Sequence, residues 1–261
     1  MSRITLDQAN TIIGAALAEG QAKGFKPLGV AVVDAGGHMI AFQRQDGAPS
    51  IRPLVAQSKA SGALSMGVSS RKIADMAVER PTFVASLAAI SPHGITPAAG
   101  GVIVVGDDGY PIGAVGVTGD TSDNDEVAAL AGIAAAFAKG REAGMKPLSC
   151  VVTDAGGHVI AFQRQDGTSF LRLDIARGKA AGALALGVNS RRIGEMAAER
   201  PSFIASLGNM AANGLVPVAG GVIVKGTDGH PIGAVGVTGD TSDNDEIAAL
   251  AGIAAAGLTP L

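Results

Sequence analysis

Cationic side chains stand out in this chain because it carries few charges. Charged residues make up 16% of the 261 residues, against roughly a quarter in ordinary globular proteins. Arg44 ends a mostly apolar run with strand-like alternation, and Asp46 follows it in a glycine turn. A planar guanidinium binds a carboxylate through two parallel hydrogen bonds, so this pair could hold an anionic ligand at the mouth of a pocket. A structural ion pair that fixes the strand end explains the two residues equally well.

A lysine among small residues is the second candidate. Lys59 lies in a run of Ala, Ser and Gly, and Arg52 precedes it by seven residues, which is two helical turns and places both on one helix face. Together with Arg44, these residues could surround an anion, whereas the alternative is a solvated cationic stripe. In an enzyme, Asp46, Lys59 or Glu126 would be the residues that move a proton.

Histidine and acidic residues give weaker signals for metal binding. His38 follows a Gly-Gly turn, where an exposed or backbone-bonded histidine is more common than a ligand, but it remains a ligand-binding candidate. His93 has no histidine at the corresponding position of the second repeat described below, so a role for it would be restricted to one repeat. The acidic residues in 120–126 lack the central glycine of an EF-hand, and capping of the following helix explains them better. No His-x-His or Cys-x-x-Cys spacing is present, so we predict no metal site.

The chain is a tandem repeat of one sequence unit, with an offset of 120 residues between the two copies. The run PIGAVGVTGDTSDNDE at 111–126 returns unchanged at 231–246, which indicates duplicated domains with one fold. We divide the chain into repeats 1–123 and 124–261, with a helix at 124–143 shared by both. The equivalents in the second repeat are candidates of the same kind: Asp166, Lys179 and Glu246 for proton transfer, and Arg164, Arg172 and His158 for ligand binding.

Hydrophobic periodicity predicts the elements that position these residues. Apolar residues at helical spacing predict an opening helix, three central helices and a closing helix, and period-two runs around Ala-Gly-Gly and Asp-Asp-Gly predict two hairpins. In the first repeat the helices are expected over 5–23, 51–66, 69–78, from Pro81 and from Asn124, and the strands over 28–34, 38–45, 102–105 and 111–118. Each repeat is therefore expected to be an α/β domain of the α+β kind, in which helices cover one face of a small antiparallel sheet.

Several segments in a fixed order carry a family pattern. They are VVDAGGHMIAFQRQDGA, the helix with SKASGAL, the Gly100-Gly101 strand entry, GAVGVTG and Asp125-Glu126. In order and spacing they resemble the GlcG/HbpS family, which includes PduO C-terminal-like and haem-degrading domains. The resemblance implies a profilin-like α/β/α domain that self-associates. It also implies haem or a corrinoid as a possible ligand, and a link to hydroxy-acid or diol metabolism. A tandem duplication departs from the single domain usual in that family.

Composition excludes some classes of partner. A net charge of −3, a single Tyr and no Trp argue against nucleic-acid binding. No run approaches the ~18 apolar residues of a membrane span, and the N-terminus lacks a basic and apolar leader, so we expect a cytoplasmic protein without a membrane partner. The low charge favours a homo-oligomer. Cys150 has no second cysteine to pair with and aligns with Val30, so we interpret it as a small buried hydrophobe.

Three functions from different classes remain open. The first is a protein that binds or transforms a small anionic hydroxy or keto acid through its Arg and Lys residues. The second is a haem- or corrinoid-binding protein, which makes haem a possible cofactor. The third is a structural assembly subunit without a ligand. Whether the chain is an enzyme is left open by the sequence.

Overall fold

The chain folds into two compact units. The computed structural model describes residues 3–106, 108–124, 147–256 and 258–261, and the chain divides into the units Met1–Ala143 and Gly144–Leu261. Each unit combines helices with an antiparallel sheet, which confirms the predicted α+β class. Apart from Asn124, the shared helix predicted at 124–143 lies outside the described residues, and so does the candidate Glu126.

Unit 1 contains a four-stranded sheet in the order β3-β4-β1-β2, with antiparallel neighbours throughout. Its elements are α1 (Leu6–Ala22), β1 (Gly29–Asp34), β2 (Met39–Arg44), α2 (Arg52–Met66), α3 (Ser70–Glu79), α4 (Pro81–Ile90), β3 (Gly101–Val105) and β4 (Pro111–Thr118). Thr5 is the N-cap of α1, since its side chain accepts a hydrogen bond from Gln8 N.

Unit 2 repeats this arrangement in the order β6-β5-β8-β7-β9. Its elements are β5 (Ser149–Asp154), β6 (Val159–Arg164), α5 (Arg172–Leu186), α6 (Ser190–Glu199), α7 (Pro201–Met210), β7 (Gly221–Lys225), β8 (Pro231–Thr238), α8 (Ser242–Ala255) and β9 (Thr259–Pro260). The two-residue strand β9 pairs with the edge of β7.

Helices cover both faces of the sheet in each unit, as the family resemblance implied, and not one face as the hydrophobic periodicity predicted. In unit 1, Val30 and Val117 pack against Ile12 of α1 on one face, and Val33 and Ala114 pack against α2 on the other. The reason is visible in β1, whose sequence GVAVVD is apolar at both alternating sets of positions. Such a strand needs two covering layers to bury its side chains.

Glycines allow α2 to lie directly on the strands. A Cβ at Gly116 would be 1.9 Å from the Ala56 carbonyl oxygen, and one at Gly101 would be 2.3 Å from the Lys59 carbonyl oxygen. The same contacts recur in unit 2 at Gly236. The helix backbone therefore occupies the space that a side chain would need, and this close approach holds the buried Lys59 against the sheet.

Candidate functional site

The predicted Arg44 and Asp46 line one cavity at the end of β2. The cavity has a volume of about 520 Å³, and its lining is Gln21, Phe25, Pro27, Arg44, Gln45 and Asp46. The turn that follows is possible because Gly47 adopts a φ of 82°. The side-chain oxygen of Gln45 accepts a hydrogen bond from Leu28 N at 2.7 Å, which ties the turn to β1. A volume of this size falls in the range of small-molecule sites.

The corresponding arginine of unit 2 has a described partner within its own turn. Nη1 of Arg164 donates to the Thr168 carbonyl oxygen at 2.8 Å, while Asp166 is exposed in the same turn. The residues that correspond to Gln21 and Phe25 lie outside the described residues. The cavity is therefore established for unit 1 alone.

Arg52 and Arg172 brace a helix against a strand. Arg52 donates from Nη1 to Thr118 Oγ1 at 2.8 Å and from Nη2 to the Gly119 carbonyl oxygen at 3.3 Å. Arg172 makes the first of these contacts with Thr238, also at 2.8 Å. Neither arginine is part of the lining of the Arg44 cavity, so the predicted cluster of Arg44, Arg52 and Lys59 does not form around one ligand.

The two candidate lysines are buried and bonded to protein atoms. Lys59 is 3% exposed, and its Nζ donates to the Ala99 and Val117 carbonyl oxygens at 2.8 and 3.0 Å. Lys179 donates to the Val237 carbonyl oxygen at 3.0 Å and to Asp245 Oδ2 at 2.8 Å. Both side chains of the Lys179–Asp245 ion pair are 2% exposed. Neither lysine is in the lining of the Arg44 cavity, and their contacts stabilise the fold.

The acidic candidate on the closing helix contacts a surface arginine. Glu246 accepts a hydrogen bond from Arg191 at 2.7 Å, and Asp243 pairs with the same guanidinium at 2.6 Å. The hydrogen bond to Glu246, and to a smaller extent that to Asp243, raises the pKa of Arg191. The residue that meets the buried lysine is thus Asp245, one position before the predicted Glu246. Asp245 and Glu246 have different partners because neighbouring residues on a helix point in different directions.

The histidines lie at the other end of β2 from Arg44. His38 precedes the six-residue strand and Arg44 ends it, so at about 3.3 Å per residue the two are separated by roughly 20 Å. They cannot contact the same small ligand. His38 Nδ1 is 3.2 Å from Asp34 Oδ1, and the ring of His38 meets the ring of His93 edge-on, with centroids 5.9 Å apart.

Unit 2 has a cavity at its own copy of this turn. His158 Nδ1 is 3.1 Å from Asp154 Oδ1, and Asn213 stands where unit 1 has His93. A cavity of about 180 Å³ is lined there by the turn 155–157, by α5 and by the loop 211–214. Within the described part of the chain, no group of three or more His, Cys, Asp and Glu residues is arranged to hold a metal ion.

Cys150 and Met76 lie in chemically inert environments. Burial raises the pKa of the Cys150 thiol to about 11, which leaves almost no reactive thiolate at neutral pH. Met76 packs in the apolar cluster around Ile73 and Val84. Among the described helices, none is long and apolar enough to cross a membrane.

Comparison with solved structures gives matches that each cover about half of this chain. A double mutant of HbpS from Streptomyces reticuli is 32% identical, with a TM-score of 0.46, over 51% of this chain and 87% of its own. The PduOC:haem complex is 23% identical, with a TM-score of 0.45, over 51% of this chain and 95% of its own. Protein ORFY of Klebsiella pneumoniae is 25% identical, with a TM-score of 0.48, over 54% of this chain and 95% of its own. A comparison with curated proteins gives no significant match.

The family profile described as "Haem degrading protein HbpS-like" matches the chain twice. The matched residues are 4–134 and 133–254, which together span nearly the whole sequence and coincide with the duplication. The chain therefore belongs to the HbpS-like family and contains two copies of its domain.

Proposed function

We propose that the chain binds a small organic acid in the cavity of unit 1. The observation that carries this proposal is the cavity of about 520 Å³ whose lining combines Arg44, Asp46 and Phe25. A guanidinium recognises a carboxylate through a bidentate, charge-assisted pair of hydrogen bonds. The aromatic ring offers an apolar wall for the carbon skeleton of the ligand.

The opposite charges at the cavity favour a hydroxy acid over a simple carboxylate. In the proposed complex, Arg44 holds the carboxylate and Asp46 accepts a hydrogen bond from the hydroxyl group. A keto acid offers no donor to Asp46, so its affinity is expected to be lower. Asp46 is also the group that would take a proton if the complex is catalytic.

Calorimetric titration with glycolate, lactate, pyruvate and propionate tests this proposal. Replacing Arg44 by Ala removes a charge-assisted pair, for which we expect a loss of affinity of roughly 10- to 100-fold. Asp46→Asn is expected to reduce the preference for lactate over propionate. The control is Lys23→Ala, which removes a surface cation that pairs with Glu19. Equal binding to wild type and Arg44→Ala, or no binding of any of these acids, contradicts the proposal.

Haem is the second candidate, and the family match favours it. The described residues fit haem in part. His38 and His93 can supply an axial imidazole, but the larger cavity and Arg44 lie at the opposite end of β2. The cavity of about 180 Å³ at the histidine end of unit 2 is below the usual range of small-molecule sites.

Absorbance titration with haemin separates the two candidates. A stoichiometric shift of the Soret band that His38→Ala abolishes and Arg44→Ala leaves unchanged supports haem at the turn. A shift that Arg44→Ala abolishes instead places the haem carboxylates at the organic-acid cavity. No shift with haemin, together with lactate binding, excludes the haem candidate.

A further inference from the structure

The outer edge of the sheet in unit 2 is covered by the end of the chain. The short strand β9 pairs antiparallel with β7, and the Leu261 N–H donates to the Ile223 carbonyl oxygen at 2.9 Å. Asn189 joins the two segments, because its Oδ1 accepts from Ile223 N at 2.9 Å and its Nδ2 donates to the Leu261 carbonyl oxygen at 3.0 Å. Both outward main-chain groups of Ile223 are therefore bonded within the chain.

The corresponding strand of unit 1, β3, has no such cover among the described residues. It ends the sheet, and its described neighbour is β4. Ile103 has the register position of Ile223, so its N–H and C=O point away from β4. Ser69 stands where unit 2 has Asn189, and its side chain caps α3 instead. The sequence at 138–141, which lies outside the described residues, is AKGR where 258–261 is LTPL, so the apolar segment is not repeated.

The uncovered edge of β3 is apolar. Ile103 is half-buried, whereas Ile223 next to β9 is fully buried. Val105 is 47% exposed at the end of β3, and unit 2 has Lys225 at that position. Edge strands that stay unpaired usually carry charged residues, especially lysine, or proline, which prevent pairing with another strand. The strand Gly101–Val105 contains neither, so its sequence leaves the edge open to pairing.

We propose that β3 pairs antiparallel with β3 of a second copy of the chain, around a two-fold axis at Val104. Ile103 then lies opposite Val105 of the partner subunit. Residues opposed in this way exchange both of their N–H···O=C bonds, and the symmetry produces the same pair twice. The contact joins two sheets into one and leaves no open edge at β3. It is independent of the organic-acid cavity, which lies at the end of β2.

Self-pairing is favoured over capture of the C-terminal segment of another chain. That segment already covers β7 of its own chain, so moving it to β3 of a neighbour breaks main-chain hydrogen bonds as it forms new ones. Pairing between two β3 strands adds hydrogen bonds and breaks none. It is also isologous, with the same strand on both sides of a two-fold axis, and two-fold dimers are the commonest homo-oligomers.

Sedimentation velocity of the full chain over a dilution series tests the association. Val105→Lys brings two lysines into diagonal positions roughly 7–8 Å apart across the axis, and we expect it to weaken the dimer by roughly tenfold or more. Lys225→Val is the matched control, because it makes the reverse change on the strand that β9 covers, and it should leave association unchanged. Each new residue already occupies this position in the other unit, so both variants are expected to fold, which circular dichroism checks.

A nitroxide label shows whether β3 itself forms the contact. In a chain with Cys150→Val, the label is attached at Val105→Cys or, as the control, at Lys225→Cys. The side chain at 105 projects from a face of the sheet, so the label leaves the main-chain edge free. We expect dipolar broadening of the electron paramagnetic resonance spectrum for Val105→Cys, lost on dilution with unlabelled chain, and none for Lys225→Cys.

Four outcomes overturn the proposal. The first is a wild type that sediments as a single chain at every concentration, and the second is a Val105→Lys variant that associates as strongly as the wild type. The third is association without broadening at position 105, which assigns the contact to another surface. The fourth is a single chain whose label at 105 is immobilised by the added peptide LTPL, which makes an extended peptide the occupant of the edge.

Discussion

At the scale of single residues, burial rather than residue type decides what a charged group does. Lys59 and Arg44 are both cations that recur in each repeat, but Lys59 is enclosed by backbone carbonyl oxygens and Arg44 lines a cavity. Asp245 is 2% exposed and its neighbour in the acidic run, Asp243, is 75% exposed. The same acid type thus stabilises the interior at one position and pairs at the surface at another.

Neutralising the buried acid should destabilise unit 2 strongly. Asp245→Asn leaves Lys179 as a buried charge without its counter-charge, which costs about 3–5 kcal/mol in the free energy of unfolding. Asp243→Asn is the matched control and should cost less than about 1 kcal/mol, because its ion pair is exposed to solvent. Urea unfolding followed by circular dichroism measures both. Equal unfolding midpoints for the two variants would show that the buried pair does not stabilise the unit.

At the scale of elements, glycines in the strands set the distance between helix and sheet. Gly116 of β4 lies directly beneath the backbone of α2, and Gly236 of β8 lies beneath α5 in the same way. The exposed side of α1 shows the opposite case, since a Cβ at Gly14 would meet no atom within 4 Å. Glycine is therefore required for packing at the first two positions and not at the third.

Alanine substitutions at these glycines should have opposite effects on stability. Gly116→Ala forces α2 away from the sheet and is expected to lower the free energy of unfolding by roughly 1–3 kcal/mol or more. Gly14→Ala is the control, for which we expect a gain of roughly 0.5–1 kcal/mol, because alanine is the better helix former. Thermal unfolding compares the two variants. A Gly116→Ala protein as stable as the wild type would contradict the close packing of α2.

At the scale of the whole molecule, the two copies share a fold but differ at the turn. His93, Gln57 and Ser61 of unit 1 are Asn213, Arg177 and Ala181 in unit 2. The strands and the helices against them keep their spacing, with the same register in both sheets. The duplication has therefore preserved the packing and changed the side chains beside the turn.

Large apolar side chains at matching surface positions support the expected homo-oligomer. Ile90 and Met210 are equivalent in the two repeats, and each is 78% exposed within the chain. We expect light scattering after size exclusion to give a mass of two or more chains of 25.7 kDa each. The variant with Ile90→Lys and Met210→Lys should shift towards a single chain. A wild-type mass of one chain would contradict self-association.

The sequence by itself determined the duplication, the class of fold and most of the elements. Because the two repeats keep a constant offset of 120 residues, they were expected to share one fold. The glycine turns and apolar periodicities are local signals that tertiary contacts did not override. It also placed Arg44 beside Asp46, because two residues that close along the chain at a strand end share one turn. These features depend on short-range geometry, which a sequence pattern records directly.

Only the tertiary structure decided which charged residues share a site. The sequence grouped Arg44, Arg52 and Lys59 by charge, but α2 buries Lys59 against the sheet and turns Arg52 towards Thr118. No sequence pattern grouped His38 with His93, although the fold brings their rings into contact. Burial and contact between distant segments depend on how α2 and the loop after α4 pack against the sheet. A pattern of residue types along one chain does not contain that packing.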